Sequence, residues 1–171
     1  MVGIFSLLFL LVLNLTGVII GFEGTTVPLL YRMSGSEPSR QPVIPPAPAG
    51  GTPIGVDRAM EIAAQALPGT FPFQVNVPGP KAAYQVRSRY PEDLTPGGRS
   101  RVVIDQYTGV VLFAEGSRTA PAGTRLVILN RALHTGDLLG IPSKAAMSLA
   151  CLMAVLQIIS GTVMWWKRKL G

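Results

Sequence analysis

A long apolar run near the end of the chain constrains the fold more than any other feature. It extends from Ala145 to Trp166 without a charged residue. About 22 residues at 1.5 Å per residue match the ~30 Å hydrocarbon core of a bilayer. Ser143, directly after Pro142, is the expected N-cap of this helix. The sequence therefore predicts a transmembrane helix over residues 144–166.

The residues that close this run predict its orientation. Aromatic side chains favour the membrane interface, and basic residues beside a span stay on the cytoplasmic side. Residues 167–171 are therefore expected to form a cytoplasmic tail. The chain has one histidine, His134, which would then lie near the outer surface. The predicted membrane anchors are Trp165, Trp166, Lys167, Arg168 and Lys169.

A second apolar run covers Val2 to Phe22. A cleaved signal peptide is the alternative interpretation, but the run lacks a basic start, is longer than a usual signal core and is not followed by an A-x-A site. We expect a transmembrane helix over residues 2–22. Both termini would then be cytoplasmic, with roughly Glu23 to Lys144 outside. Gly17 and Gly21 form a small-xxx-small pair that would admit a neighbouring helix.

Two amides interrupt the apolar runs, Asn14 in the first and Gln157 in the last. Counted from the cytoplasmic ends, their depths differ by an offset that two amide side chains could nearly bridge. One hypothesis is that they hydrogen-bond to each other. The alternative, in which each amide bonds to its own helix backbone or to another chain, has comparable weight because membrane polar contacts average only ~0.6 kcal/mol.

The region between the runs contains a linker and then a folded domain. Residues 23–53 form a juxtamembrane segment, which could continue the first helix briefly, and a proline-rich linker. Residues 54–115 begin with apolar positions at helical spacing up to Leu67 and continue with alternating, strand-like runs. This order predicts an α+β domain, one helix on a small antiparallel sheet. Its expected core is Met60, Ala63, Leu67, Phe73, Val75, Val86, Val103, Ile104 and Val111.

Residues 116–143 connect this domain to the last span. Leu126, Leu129 and Leu133 form an apolar side against Arg125, Asn130 and Arg131. This pattern is typical of a short helix lying on the membrane surface. Packing of the same side against the sheet is the alternative, and the sequence leaves both open.

Composition excludes several classes of function. The net charge of +6 comes mostly from arginines spread along the predicted outer segment, so nucleic acid is not an expected partner. Cys151 is the one cysteine and lies inside a predicted span, so no disulfide or thiolate metal site forms within one chain. No complete catalytic motif is present, and catalysis by protein groups alone is not expected.

Two pairs of motifs carry a family resemblance. The segment Leu133–Pro142, LHTGDLLGIP, with Ser160–Arg168, SGTVMWWKR, resembles the PepSY-associated transmembrane family of bacterial inner-membrane proteins. Residues 52–59, TPIGVDRA, and 103–111, VIDQYTGVV, resemble the ends of a PepSY domain. The resemblance implies a multi-pass protein of the inner membrane, with the PepSY domain at 54–115 in the periplasm.

The resemblance also implies a redox function. Larger relatives include haem-binding reductases of ferric siderophores used in iron uptake, and the histidine of their LHTG-like motif is assigned to the haem site. His134 is therefore the candidate ligand of a haem b. This sequence departs from those relatives because it has no histidine before the first span and two predicted spans rather than four. A second histidine would have to come from another copy of the chain, from another membrane redox subunit, or from a natural start upstream of Met1.

A different class of function is also consistent with the resemblance. PepSY domains are associated with peptidase inhibition and with sensing at the cell envelope. The chain could thus be a membrane-anchored module that binds, inhibits or regulates a periplasmic protein or peptide. Exposed strand edges are one means of binding an extended peptide.

Overall fold

The computed structural model describes residues 2–79 and 82–170, with side chains from residue 7 to residue 169. Along these residues the chain forms two compact units, one from Leu30 to Ile128 and one from the segments before and after it. The helices are α1 (Val2–Gly21), α2 (Glu23–Met33), α3 (Val56–Ala66), α4 (Ala122–Thr135) and α5 (Ile141–Leu170). The strands are β1 (Phe71–Asn76), β2 (Tyr84–Arg89), β3 (Ser100–Ile104) and β4 (Val111–Glu115).

The unit from Leu30 to Ile128 contains an antiparallel sheet in the order β1-β2-β3-β4, with α3 packed on one face. This confirms the predicted antiparallel sheet and its helix. Small residues on α3 allow the helix to approach the sheet closely, and the side chains beneath it alternate along β2 and β3 as a half-buried sheet requires. The buried cluster is Ala59, Ala63, Leu67, Tyr84, Val86, Val102 and Ile104.

Five of the nine expected core residues are buried and Met60 and Val75 are partly buried, but Phe73 and Val111 are exposed. Phe73 is 42% exposed, and Val111 is also exposed. In both places the strand register shifts, between Pro72 and Gln74 on β1 and beside Ile104 on β3. A bulge of this kind interrupts the two-residue alternation from which the sequence assigned the inner face. The prediction was therefore wrong at these two positions.

The β3–β4 hairpin is closed by an aspartate that sequence reasoning did not identify as a turn residue. Asp105 is buried, and its Oδ1 accepts hydrogen bonds from the backbone N–H groups of Tyr107 and Thr108, at 2.9 and 2.7 Å, and from the Thr108 hydroxyl. Gly109 has φ of 73°, a value that glycine adopts without strain at the end of such a turn. These bonds lower the pKa of Asp105, and the bond from Thr108 N–H has the largest effect. Burial acts in the opposite direction.

The other unit is built from long apolar helices. From Ile141 to Lys169, α5 has the length and composition needed to cross a membrane. The pair of α1 and α2 would count as a second such segment only as a broken span, because the two helices bend by 103°. The juxtamembrane segment therefore does not continue α1. The Thr26 hydroxyl lies 2.8 Å from the carbonyl oxygen of Ile19 and 2.9 Å from that of Phe22, which stabilises the bend.

Two smaller predictions about this unit concern the N-cap of α5 and the partner of Asn14. Ser143 is not the N-cap, because α5 begins at Ile141 and the Ser143 hydroxyl lies 2.5 Å from the carbonyl oxygen of Gly136 in the preceding turn. The Asn14 side chain donates to the carbonyl oxygen of Leu10 at 2.7 Å. This bond favours the alternative in which the amide is satisfied by its own helix rather than by Gln157.

Candidate functional site

His134 is the last residue but one of α4, and the end of that helix is set by the glycine that follows. Gly136 has φ of 69°, its N–H donates to Leu133 O, and the N–H of Asp137 donates to Ala132 O. This pair of bonds is the Schellman arrangement, in which glycine is preferred because it adopts positive φ without strain. The glycine of the LHTG motif thus ends the helix immediately after the histidine and fixes its position.

The His134 ring is held by Thr16 of α1. Nδ1 of His134 lies 2.9 Å from Oγ1 of Thr16, and the same Oγ1 donates to the carbonyl oxygen of Val12 at 2.6 Å. A threonine hydroxyl has one proton, so when it is donated to Val12 the oxygen can only accept from the ring. Nδ1 must then carry the ring proton. In that arrangement Nε2 keeps its lone pair, whereas a hydroxyl that donates to Nδ1 gives the opposite tautomer.

Two further contacts between the end of α4 and α1 support this bond. Asn130, one helical turn before His134, donates from Nδ2 to the Thr16 carbonyl oxygen at 3.3 Å. A Cβ added to Gly17 would lie 3.4 Å from Cε1 of the His134 ring, whereas one added to Gly21 would meet nothing within 4 Å. Only Gly17 of the predicted glycine pair therefore admits a neighbour here, and that neighbour is α4.

The site is polar in surroundings that are apolar. Thr16 is 6% exposed and Asn130 is 8% exposed, although both lie among leucines and valines. Thr16 is five residues from the end of α1 at Gly21, or roughly 8 Å along the helix axis. The polar cluster of Thr16, Asn130 and His134 is therefore set back from the helix end. The connector was expected on the membrane surface or on the sheet, and both positions stay predictions. The end of α4 contacts α1 through Asn130 and His134.

An ion pair fixes the turn between α4 and α5. Asp137 Oδ1 lies 2.7 Å from Lys144 Nζ, and its Oδ2 accepts from the Thr135 hydroxyl at 2.5 Å. These two partners, Lys144 first, lower the pKa of Asp137 against the opposing effect of burial. Sequence reasoning missed this pair, because the Gly/Pro turn between the two residues breaks the periodicity by which neighbours are recognised.

An apolar cavity of about 280 Å³ lies between α1, the end of α4 and the start of α5. Met147, a possible soft ligand, lines it, but His134 does not. The cavity is smaller than usual ligand pockets of about 300–1,000 Å³. Its lining residues are Leu8, Phe9, Val12, Leu133, Gly136, Leu138, Leu139, Ser143 and Met147.

The donor set decides which metal centre could fit. Among residues 2–79 and 82–170, no three histidine, cysteine, aspartate or glutamate side chains are grouped as a metal site requires. Haem iron needs only one or two protein ligands, since the porphyrin supplies the others. A single imidazole with a free Nε2 lone pair and a bonded Nδ1 fits an axial ligand.

The predicted membrane anchors lie at the end of α5. Trp165 and Trp166 are exposed, and Lys169 Nζ lies 4.9 Å from the centre of the Trp165 ring. Lys167 and Arg168 are exposed beside them. An aromatic pair with an adjacent basic cluster suits the boundary between lipid and water.

Comparison with protein families identifies the chain at nearly its full length. The family model described as PepSY-associated TM region matches residues 1–168. No curated protein matches the chain.

Proposed function

Because the chain belongs to the PepSY-associated TM family, we propose that it is a haem-binding subunit of a bacterial membrane redox system, with His134 as an axial ligand. Bound haem b would supply one-electron transfer, of the kind that reduces a ferric siderophore during iron uptake. The protein would supply the ligand, its orientation and an apolar surrounding.

The bond between Thr16 and His134 is the observation that carries this proposal. Histidines that bind metals usually donate their second ring N–H to a fixed acceptor, which selects the tautomer and makes the ligand more basic. Thr16 Oγ1 lies 2.9 Å from Nδ1 and is such an acceptor when its own proton is donated to Val12 O. This arrangement supports ligation by His134 through Nε2.

The sixth ligand would come from another chain. His134 is the one histidine here, and Met147 is a weak alternative because thioether ligation is softer and Met147 lines a cavity that His134 does not. A second copy of the chain or another redox subunit would supply a second histidine. A site between two copies would bind one haem per two chains.

We propose the inner membrane as the location, with α1 and α5 as spans, both termini cytoplasmic and the sheet unit in the periplasm as a PepSY domain. A loop this long translocates largely regardless of its arginines. Cysteines at the exposed positions Gln41 and Gln65 should react with an impermeant thiol reagent in intact cells. Ser36 and Ser117 are poorer positions, because both hydroxyls are hydrogen-bonded. Labelling only after lysis would invert this topology.

A visible spectrum tests the proposed function. Full-length protein produced with excess haem and purified in detergent should show a Soret band, and His134→Ala should remove it without reducing membrane insertion. Thr162→Val is a matched control, because the Thr162 hydroxyl bonds to its own helix at Ile158 O and does not contact His134. Wild-type protein without haem would defeat the proposal, and full haem retention in His134→Ala would exclude His134 as the ligand.

A further inference from the structure

Three arginines lie on the face of the sheet turned away from α3. Val86 and Val102 belong to the core beneath that helix, so the alternating neighbours Arg87 and Arg101 are on the opposite face. Arg87 and Arg101 are direct cross-strand partners between β2 and β3. Arg89 is two residues further along β2, on the same side. We call the surface formed by Arg87, Arg89 and Arg101 the arginine face.

The arginine face makes no ion pair among the described residues. There, no ion pair joins Arg87, Arg89 or Arg101 to an acidic side chain. Glu115 is opposite Arg101 in the register without forming an ion pair with it, and its Oε2 accepts from the Ser39 hydroxyl. The Arg101 guanidinium lies over the Phe113 ring instead, 4.9 Å from its centre.

The cross-strand arginine pair opposes folding, and the contact of Arg101 with the Phe113 ring offsets part of that cost. Like charges directly opposite each other in a sheet are destabilising. A repulsive pair held on a solvent-facing surface is what an anion-binding function would require. The cost would be offset when a negatively charged partner binds.

The exposed half of the arginine face has the composition of a protein interface. Arg87 and Arg89 are exposed, and Phe71, the cross-strand partner of Arg89, is 61% exposed. Val103, on the same face near β4, is only 2% exposed, so the accessible part lies over β1 and β2. Arginine and aromatic side chains are enriched where proteins bind each other, and lysine is depleted.

The edge of β1 is less suited to binding than the face. Pro72 cannot donate a backbone hydrogen bond, and the bulge between Pro72 and Gln74 distorts the edge. Both features discourage addition of another strand. A partner at this side of the sheet would therefore contact the side chains of the face rather than extend the sheet.

We propose that the arginine face docks an acidic segment of a partner protein. The guanidinium fork matches a carboxylate with two parallel hydrogen bonds, which a lysine ammonium cannot do. Arg87 and Arg89 are about 6.8 Å apart along the strand, the spacing of alternate residues in an extended segment. Recognition of anionic lipid usually takes clusters of 4–8 basic residues, lysine included, so three arginines favour a carboxylate partner.

The test uses full-length protein in detergent and a fluorescein-labelled decapeptide of alternating glutamate and serine. Binding is followed by fluorescence anisotropy. Arg87→Gln with Arg89→Gln should weaken binding about tenfold, since it removes two exposed ion pairs with the peptide. The matched control is Arg40→Gln with Arg58→Gln, which removes the same charge from two exposed arginines elsewhere in the same unit. Its affinity should stay within about twofold of wild type, allowing for screened long-range effects.

Several results would overturn the proposal. Among them are absence of peptide binding by the wild type, equal losses in the two double variants, and unchanged peptide binding in Arg87→Gln with Arg89→Gln. If that last variant lost binding to phosphatidylglycerol vesicles instead, the face would belong to a lipid surface. Thermal melting is the folding control, and the variant should melt no lower than wild type because it removes a like-charge pair. A lower melting temperature would contradict the repulsion on which the proposal rests.

Discussion

The sheet unit and the helical unit distribute polar and apolar side chains in opposite ways. Under α3, Val86, Val102 and Ile104 are fully buried. In α5, large apolar side chains such as Ile158 are exposed along the length of the helix, while Thr16 and Asn130 are buried among the helices. The first arrangement is that of a water-soluble fold. The second fits lipid as the solvent, in which polar side chains join helices and apolar ones face outward.

This comparison explains why the candidate ligand lies in the helical unit. A polar group in apolar surroundings must find a partner, and the hydrogen bond then fixes its orientation. Thr16, Asn130 and His134 satisfy this requirement together, by bonds between two helices. In the sheet unit, by contrast, the buried carboxylate of Asp105 accepts its hydrogen bonds from N–H groups within the same turn.

Removing a buried side chain from the sheet unit should have the largest effect. Ile104→Ala should cost about 2–5 kcal/mol, because it leaves a cavity under α3. Phe73→Ala is the control, and at 42% exposure it should cost clearly less. Hydrogen exchange of full-length protein in detergent measures both, as loss of protection in β2 and β3. Equal losses would mean that Phe73 belongs to the core after all.

A charge introduced at an exposed apolar position should have the second-largest effect. That effect should differ between the two units. Ile158→Asp, at a 69% exposed position of α5, should impair membrane insertion, with a cost of about 2.5–3.5 kcal/mol at the centre of a span. Val77→Asp, at an equally exposed position after β1, should be within about 0.5 kcal/mol of wild type. The ratio of membrane-integrated to soluble protein measures the first, and thermal melting the second. Normal insertion of Ile158→Asp would show that α5 does not face lipid.

Acid should weaken the sheet unit through Asp105. Its pKa is lowered in the folded protein, so its stabilising contribution is present above the unfolded value of about 3.9 and is lost as pH falls through the folded pKa. Asp105→Asn should cost about 1–2 kcal/mol at pH 7, because bonds to a charged acceptor are replaced by neutral ones. Its stability should then depend less on pH below 4. Acid titrations of wild type and Asp105→Asn, followed by near-UV circular dichroism, measure this difference. Two curves of the same shape would contradict the contribution of Asp105.

The sequence predicts regular features well and local departures poorly. The α3 stripe, the order of strands, Gly109 and the apolar run of α5 follow from periodicity and turn chemistry, which act within a few residues. Phe73 was misassigned because one bulge reverses the side on which a residue points. The start of α5 was misassigned because Ser143 can bond either to a following helix or to the preceding turn.

The candidate site was only partly predictable for the same reason. His134 was identified from a motif resemblance, and Gly17 from its spacing. Thr16 and Asn130 were not identified, because a threonine inside an apolar helix usually bonds to its own backbone. Thr16 does so as well, at Val12 O. Only the three-dimensional structure shows that the same hydroxyl also contacts the imidazole of His134.

The most direct test of this account is the haem affinity of Thr16→Val. The substitution keeps the side-chain shape and removes the acceptor for Nδ1–H, so the tautomer of His134 is no longer fixed. Haem titration of full-length protein, followed at the Soret band, should show affinity about 10–100-fold below wild type, as expected for loss of a group that orients a metal ligand. Thr162→Val should bind haem as tightly as wild type. Unchanged affinity in Thr16→Val would contradict the role of the Thr16–His134 bond in preparing the ligand.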